Sequence, residues 1–483
     1  MSRFRTTGWY QLRLDESGVF CEFRMRLGQY QGLRQIPHTS GQNPLMPNHS
    51  ISAFTVGLNG KSVIPASQIA GLVNQGEIIV VEKCLQAIAY LEPVREATRS
   101  ALHVVLGEER ASLIMAKGFE SIHEFVDLEE LPEILNHCYE AFGALAKPFV
   151  TEIAKEILGA KQGVYFEEFP NIRFHVPFDI IVTKKEKFKD FFWNGKVTAH
   201  GPHHDSWYCC PTNAVNVWIA LGKVHAENGL NIFPRVFGKR LRCTAEGKIV
   251  PGQYLGPRVC FDLQPGDAVI FRGEHLHSST INSTGATRYV LSLRLTLDKP
   301  TFLGYSPYKE DYVWAAMDAG WWSRLREIWA NGWRIVRKKA REIARRGKPI
   351  RYLVSAEEIE QCDDTAADFP ACLSVQEVWV GGQSTLLFES EALGIGEIRP
   401  LTARTCIARP RTDVVIVFDR FCPHEGADLA GGCLEGERVY CPWHNLPVNL
   451  QDGKSPCRSL RSLNVHRYVP GHSVREWVAA NRS

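Results

Sequence analysis

No run of about 18 apolar residues occurs in the chain, so a helical membrane span is not expected. Its first residues, MSRFRTTGWYQLRLDESG, hold no apolar core of the kind a secretory signal carries. Charge of one sign is also scarce. Fifty-six Lys and Arg against 53 Asp and Glu leave a net +3, so no global field argues for nucleic acid. The 14 cysteines are scattered, and only Cys422 and Cys441 fall in a metal-ligand pattern. The others read as small buried hydrophobes, and free thiols point to a reducing cytoplasm. What remains is an ordinary globular composition, 45% hydrophobic and 23% charged, over 483 residues. By the length prior that is room for roughly two or three domains.

Cys422-Pro423-His424 is followed, after sixteen intervening residues, by Cys441-Pro442-Trp443-His444. Each segment supplies one thiolate and one imidazole, a set that separates it from an all-Cys ferredoxin and from most structural zinc sites. Two Cys on one iron and two His on the other make a Rieske [2Fe-2S] centre. The prolines and the tryptophan between the ligands resemble those of Rieske ferredoxins and ring-hydroxylating oxygenases. High-potential Rieske proteins carry two further loop cysteines; here those positions are Ala427 and Trp443, so that loop disulfide cannot form. The resemblance therefore implies the ferredoxin or oxygenase type, near the low end of the Rieske range.

The texture upstream divides the chain. Residues 1–75 mix Gly, Pro, Asn and Ser with short strand-like runs and are taken with the domain that follows. Over about 80–160, apolar residues recur at helical spacing, as in Cys84, Ile88 and Leu91 and later Ile134, Cys138, Phe142 and Leu145. Short alternating strands then follow to about 297, at Gly163–Phe166, Ile172–Pro177, Ile180–Thr183, Ala214–Leu221, Ala268–Phe271 and Thr287–Leu295. Helices before antiparallel strands predict an α+β domain over 76–300, a jelly roll with helical cover. A helical basic linker over 301–350 and a small all-β Rieske domain over 351–483, with strands at Val375–Val380, Ser384–Phe388 and Val414–Phe418, complete the expected organisation.

A second iron site is legible in the strand-rich part. In His203-His204-Asp205, residues two apart share a strand face, so His203 and Asp205 can ligate one metal while His204 points away. A distant His must complete a two-His, one-carboxylate triad, which leaves positions open for oxygen and a co-substrate on ferrous iron. His277 is chosen over His275 for its spacing to Asn282 and Arg288, and His203 over His200 for its spacing to Asp205. The stretch Gly266–Leu295 resembles the distal half of phytanoyl-CoA dioxygenase-like 2-oxoglutarate oxygenases, a double-stranded β-helix family. Their pattern sets the distal iron His in a His-x-Ser context with a nearby Asn, and an Arg about eleven residues later that holds the far carboxylate of 2-oxoglutarate. Asn228-Gly229 to Pro234 resembles that family's Asn-Gly to Pro connection, but Arg235-Val236-Phe237 replaces its Gly-Ser-His. The resemblance implies Fe(II) at His203, Asp205 and His277, and 2-oxoglutarate at Arg288 with Asn282. Asn216 and Trp218 are candidates to line the co-substrate pocket. A carboxylate at Asp205 favours hydroxylation or a related oxidation over the halogenation of relatives that lack it.

Arg288 also carries meaning without the resemblance. It shares a strand face with Val290, Ser292 and Arg294, while Tyr289, Leu291, Leu293 and Leu295 share the other. Two arginines cannot face an apolar core unpaired. They face water, a structural carboxylate, or an anion in a polar cavity, and the planar guanidinium suits a dicarboxylate.

Residues 312–348 carry Trp314, Trp321, Trp322, Trp329 and Trp333, then eight Arg and Lys from Arg334 to Lys348. Trp322, Leu325, Trp329, Val336, Ala340 and Ile343 are spaced as one helical face. That face is expected to pack on the chain's own domains with the basic residues in solvent; a membrane surface or acidic partner is the alternative. Gly347 and Pro349 read as the helix stop. Fewer than forty residues follow His444, the reverse of the domain order in ring-hydroxylating oxygenases. The expected activity is a 2-oxoglutarate-dependent oxygenase acting on a small molecule with O2, in specialised metabolism, the Rieske domain supplying auxiliary electrons. Alternatives are an oxygenase driven by the Rieske electrons without 2-oxoglutarate, and an electron-transfer protein with a vestigial iron site. An electron-donating reductase and a second copy of the chain are the candidate macromolecular partners.

Overall fold

Alternation along Arg288–Thr296 sets the architecture. Tyr289, Leu291, Leu293 and Leu295 face a core shared with the helices Leu91–Lys117 and Leu131–Glu152, through Val94, Leu102, Cys138, Phe142 and Phe149. Val290 faces a second core, with Phe54, Trp218, Leu230, Ile232, Val259 and Phe271. One face thus takes the helical cover and the other closes over the interior. The strand lies inside a nine-stranded antiparallel sheet. The order is Tyr312–Ala316, Gly163–Glu167, Arg288–Thr296, Val215–Ala220, Ala268–Arg272, Ile79–Glu82, Ser52–Gly57 and Gly60–Ile64, with Asn171–His175 also on Arg288–Thr296. Opposite it a three-stranded sheet, Val259–Cys260, Leu230–Ile232 and His277–Ser279, forms the second wall. This is the double-stranded β-helix with helical cover, in an α+β chain.

The computed structural model describes residues 52–182, 199–345 and 393–468 apart from short gaps, with strand backbones at 13–15, 18–20, 375–380 and 383–388. Ser50–Ser483 is one unit and Met1–His49 another, in which Arg13–Asp15 pairs with Gly18–Phe20. The jelly-roll sheet takes in Ser52–Ile64 before the expected 76–300 span and Tyr312–Ala316 after it. The strand expected at Ile180–Thr183 is, over the described residues, a helix, Phe178–Val182. Its β-branched run reads as a strand, but the Pro177 carbonyl accepts from the amides of Ile180 and Ile181 and so starts a turn.

The helix Trp321–Arg345 lies the other way up from the expectation. Its polar face is the one that packs. Arg334 pairs with Glu168, Arg337 and Arg341 with Glu310, and Lys338 with Asp311, while Asn331 exchanges hydrogen bonds with the Trp314 backbone. Trp322 and Trp329 on the other face are 70% and 69% exposed. The acidic edge at Glu310 and Asp311, just before Tyr312–Ala316, gives the basic face a partner that sequence spacing does not reveal. The stop at Gly347 and Pro349 lies outside the described residues.

The C-terminal part is all-β. A four-stranded sheet, Glu397–Pro400, Thr405–Arg411, Val414–Asp419 and Val465–Tyr468, stands beside a three-stranded one, Cys433–Glu435, Arg438–Tyr440 and Pro447–Asn449. Cys422 follows the third strand of the first sheet, and Cys441 sits in the connection between the last two strands of the second. Both loops enclose a core of Phe418, Ala427, Leu429, Val439 and Leu446.

Candidate metal centres

His203 and His277 face each other across an isolated antiparallel bridge, with reciprocal backbone hydrogen bonds of 3.0 and 3.1 Å. Asp205 is not in a strand with His203, as alternation suggests; it opens a short 3-10 turn, Asp205–Tyr208. Its amide donates to the Gly273 carbonyl at 3.0 Å. A Cβ on Gly273 would stand 3.2 Å from the Asp205 carboxylate, so the close approach calls for glycine. The three donor atoms lie within 4.8 Å of one another, and Nε2 of each imidazole is 3.9 Å from Asp205 Oδ1.

The protonation states suit a cation. Nδ1 of His203 lies 2.8 Å from the Gly201 carbonyl, and Nδ1 of His277 lies 2.8 Å from the His275 carbonyl. A carbonyl only accepts, so each Nδ1 carries the proton and each Nε2 presents its lone pair. Burial, then the neighbouring His200 and His277 rings, push His203 well below the ordinary imidazole range, and burial lowers His277. For Asp205 burial acts to raise the carboxyl. The Arg294 charge, with hydrogen bonds from Arg294 and Asn216, outweighs it and holds the carboxyl at about 2. Two neutral imidazoles and one carboxylate are the donor set of a facial triad for ferrous iron. His204 turns away, its Nδ1 2.8 Å from the Glu274 carbonyl. His275 stacks on Phe237, with Nε2 2.9 Å from the Gly76 carbonyl, and His200 packs beside His203 at a ring separation of 4.1 Å.

The two arginines of the central strand divide the possibilities. Arg294 takes the structural carboxylates, donating to Asp205 Oδ1 at 2.9 Å and to Glu167 at 3.2 Å. Arg288 takes none. It is fully buried, and its guanidinium donates to the carbonyls of Asn228 and Gly229 at 2.9 and 2.7 Å and to Ser279 Oγ at 3.4 Å. Among the described residues no carboxylate forms an ion pair with it. Burial first, and the Arg173 charge second, push its pKa well down. Ser279 shares a strand face with His277, and the guanidinium stands 5.5 Å over the Trp218 ring.

Two sequence candidates hold other positions than those expected. Asn216 Nδ2 donates to Asp205 Oδ2 at 2.6 Å, so its amide serves the Asp205 carboxylate. Asn282 Nδ2 donates to the carbonyls of His175 and Ala286, and its Oδ1 accepts from Thr284, so it closes the turn leading into the Arg288 strand. Sequence spacing alone gives no site role to Arg294 or Gly273. The strand alternation that paired Arg294 with Arg288 was the available signal for the first.

The Cys422 and Cys441 loops are built alike. In each, the Cys amide donates to the carbonyl five residues on (Ala427, 2.9 Å; Leu446, 3.0 Å). The amide four residues on returns to the Cys carbonyl, from Gly426 at 2.9 Å and Asn445 at 3.0 Å. That fourth position is left-handed in both, φ 76° at Gly426 and 53° at Asn445, the conformation Gly and Asn tolerate. The rings of His424 and His444 stand 4.9 Å apart, and Cys422 and Cys441 hydrogen-bond sulfur to sulfur, which lowers Cys422. Two thiols and two imidazoles converging from paired loops fit a Rieske cluster. Asn445→Gly is expected to leave cluster content unchanged. Asn445→Val should cost roughly 1–3 kcal/mol of backbone strain and lower the cluster absorbance per chain.

The two centres are neighbours. The Ile281 amide donates to the His444 carbonyl at 2.7 Å, and Ile281 packs in the core of the cluster domain. Phe178 stands edge-on to His424 at 5.2 Å, and Arg258 pairs with Glu435 at 3.2 Å.

Comparison with known proteins matches residues 140–290 to phytanoyl-CoA dioxygenase (PhyH) and residues 371–463 to the Rieske [2Fe-2S] domain. A stretch of 93 residues is 30% identical to cholesterol 7-desaturase nvd of Bombyx mori, covering 18% of this chain and 19% of that protein. The chain thus matches about a fifth of that relative's length. Among solved structures, the epimerase SnoN in complex with Fe3+, alpha ketoglutarate and nogalamycin RO is 17% identical, over 48% of this chain and 83% of that one, at a TM-score of 0.31. EctD from S. alaskensis with 2-oxoglutarate and 5-hydroxyectoine is 18% identical, over 51% and 82%, at 0.30. No helix among the described residues is long and apolar enough to cross a membrane. The two domain matches, with the His-Asp-His group and the paired Cys/His loops, identify the chain as a phytanoyl-CoA dioxygenase-type domain joined to a Rieske [2Fe-2S] domain.

Proposed function

We propose that the protein is an Fe(II)- and 2-oxoglutarate-dependent oxygenase that oxidises a C–H bond of a small molecule, with the Rieske domain returning electrons to the iron. The observation that carries the reading is Arg288. A fully buried guanidinium with no carboxylate partner, on the strand face that leads to the iron ligands, is a site waiting for an anion. A dicarboxylate with one end at the metal and the other at Arg288 satisfies both.

His203, His277 and Asp205 would hold the iron, and Arg288, Ser279 and Trp218 would receive the far carboxylate of the co-substrate. Bound there, iron and 2-oxoglutarate supply the oxidising power from O2, with loss of carbon dioxide and succinate. The chain supplies the rest. Asn216 holds Asp205 Oδ2, which fixes the oxygen that faces the imidazoles, and Arg294 keeps the carboxylate ionised. The Gly201 and His275 carbonyls fix both ring orientations. The apolar wall of Phe271, Trp218, Ile232 and Val259 excludes water from the interior.

A 2-oxoglutarate oxygenase in a coupled cycle takes two electrons from its co-substrate and needs no other reductant. The close seating of His444 on Ile281 favours a second reading, in which the Rieske electrons are the main supply and Arg288 binds a substrate anion. Anaerobic reconstitution with ferrous iron, followed by 2-oxoglutarate-dependent oxygen uptake across a metabolite panel, separates them. One succinate per product supports the first reading. Product formed from reduced Rieske domain and O2 without succinate rejects it. Acyl thioesters, amino acids, alkaloids and phosphonates, the compounds handled by the family, are the panel to begin with.

A further inference from the structure

The interface between the two domains contains one contact that the proposed chemistry does not itself require. The segment from Ala199, which packs against the core of the cluster domain, leads to His203 of the iron triad. A Cβ placed on Gly201 would stand 3.7 Å from Nε2 of His444, so that ring nitrogen lies against the glycine. The carbonyl of the same residue accepts the Nδ1 hydrogen of the iron ligand His203 at 2.8 Å. One peptide therefore touches a ligand of each centre. A second link runs in parallel: the His444 carbonyl accepts from the Ile281 amide, four residues along the chain from the iron ligand His277.

We propose that Gly201 is the bridge for electron transfer within one chain, from the cluster side at His444 through the Gly201 peptide to His203. The inference rests on the reading that the Rieske domain serves the iron. The step is a single electron: the reduced cluster becomes oxidised and ferric iron at the triad becomes ferrous, with no bond made or broken. The cluster is reduced again by a one-electron donor of the ferredoxin or flavin-reductase class. A methyl at 201 would meet His444 at ordinary contact distance, whereas a larger side chain would hold His444 away. Ala199 and Phe178 pack against the core of the cluster domain, Phe178 beside His424, and the Arg258–Glu435 pair is a further tie between the two domains.

The test uses the full chain with the cluster intact and either ferric iron or redox-silent zinc at the triad. The cluster is photoreduced under anaerobic conditions, and its reoxidation is followed by absorbance and by freeze-quench electron paramagnetic resonance. The native protein should show a fast phase with ferric iron, absent with zinc, whose rate does not change with protein concentration. A rate proportional to concentration would mean transfer between copies and overturn the bridge. No fast phase with ferric iron would remove the Rieske-to-iron reading itself, a distinct failure visible in the native protein alone.

Gly201→Leu should lose the fast phase while keeping the cluster resonance and the absorption band of ferrous iron with 2-oxoglutarate. Gly201→Ala, whose methyl meets His444 at ordinary contact distance, should keep it. Arg258→Glu, which sets like charges against Glu435 and touches neither metal ligand, should slow it by loosening the seat. A native fast phase in Gly201→Leu with both centres intact overturns the route, as does an undiminished rate in Arg258→Glu.

Discussion

Replacing Arg288 with Met is expected to leave the metal-free protein as stable as the native one or more so, and to remove most of its response to 2-oxoglutarate. The two effects have one cause. Arg288 is a buried cation, and without a bound anion its charge is opposed by carbonyl dipoles, the Ser279 hydroxyl and the Trp218 ring, with no carboxylate among the described residues. An isolated buried charge carries a desolvation cost of several kcal/mol. Against that, Met leaves the Asn228 carbonyl without its donor, a loss of roughly 1–3 kcal/mol. The Gly229 carbonyl keeps the Thr280 amide at 3.0 Å. Removing the charge therefore wins or breaks even in the absence of ligand. With ligand the order reverses. Losing the partner of a buried carboxylate costs about 2–5 kcal/mol, or roughly thirty- to several-thousand-fold in affinity. Thermal melting with and without 2-oxoglutarate reads both at once. The native protein should gain about 2.7 kcal/mol at a hundred times the dissociation constant, and the variant should gain less than about 1 kcal/mol at that concentration. A variant that melts well below the native protein and still responds to 2-oxoglutarate would place the anion elsewhere.

How far such a site can be read from sequence depends on the reach of the signal. That His203, Asp205 and His277 converge, their donor atoms within 4.8 Å, was legible because metal chemistry restricts residue type and because Arg288 falls at a fixed distance from His277. The geometry behind the spacing was not. A two-residue interval suggests one strand, yet His203 sits in a bridge and Asp205 in the turn after it, a change of backbone that leaves the sequence pattern intact. Asn216 and Asn282 are legible as polar residues near the site, but amide side chains hydrogen-bond equally well to a ligand, a carboxylate or a backbone carbonyl. Only the fold decides among these. The linker helix shows the same limit from the other side. Periodicity gave an apolar face and a basic face, and which one packs was set by Glu168, Glu310 and Asp311, residues outside the helix. The cluster loops were legible in their ligands and silent on their likeness, since Gly426 and Asn445 match in backbone conformation and not in letter.

The largest loss of stability and metal together is expected from Asp205→Ala, and its partner Arg294 shows why. Asp205 is the one carboxylate of the triad and the main counter-charge of Arg294, which also reaches Glu167. Removing it takes a ligand from the iron and leaves the guanidinium beside two imidazoles, so breaking this buried pair should cost about 3–5 kcal/mol. Arg294→Met acts more gently. Asp205 keeps the Asn216 amide, and Glu167, whose carboxyl is already raised by burial, can relieve its own lost partner by taking up a proton. Metal affinity should then fall about 10–100-fold, as for other groups that orient a ligand. In the double variant Asp205→Ala/Arg294→Met neither charge is left alone. It should recover part of the stability lost in Asp205→Ala, a coupling on the order of 0.5–3 kcal/mol, while iron binding stays as weak as in that single variant. Denaturant unfolding of the four proteins gives the coupling, and chelator competition for ferrous iron gives the affinity. Additive stabilities would mean that Arg294 does not depend on Asp205. Recovery of stability without recovery of iron assigns Arg294 to the carboxylate and Asp205 to the metal.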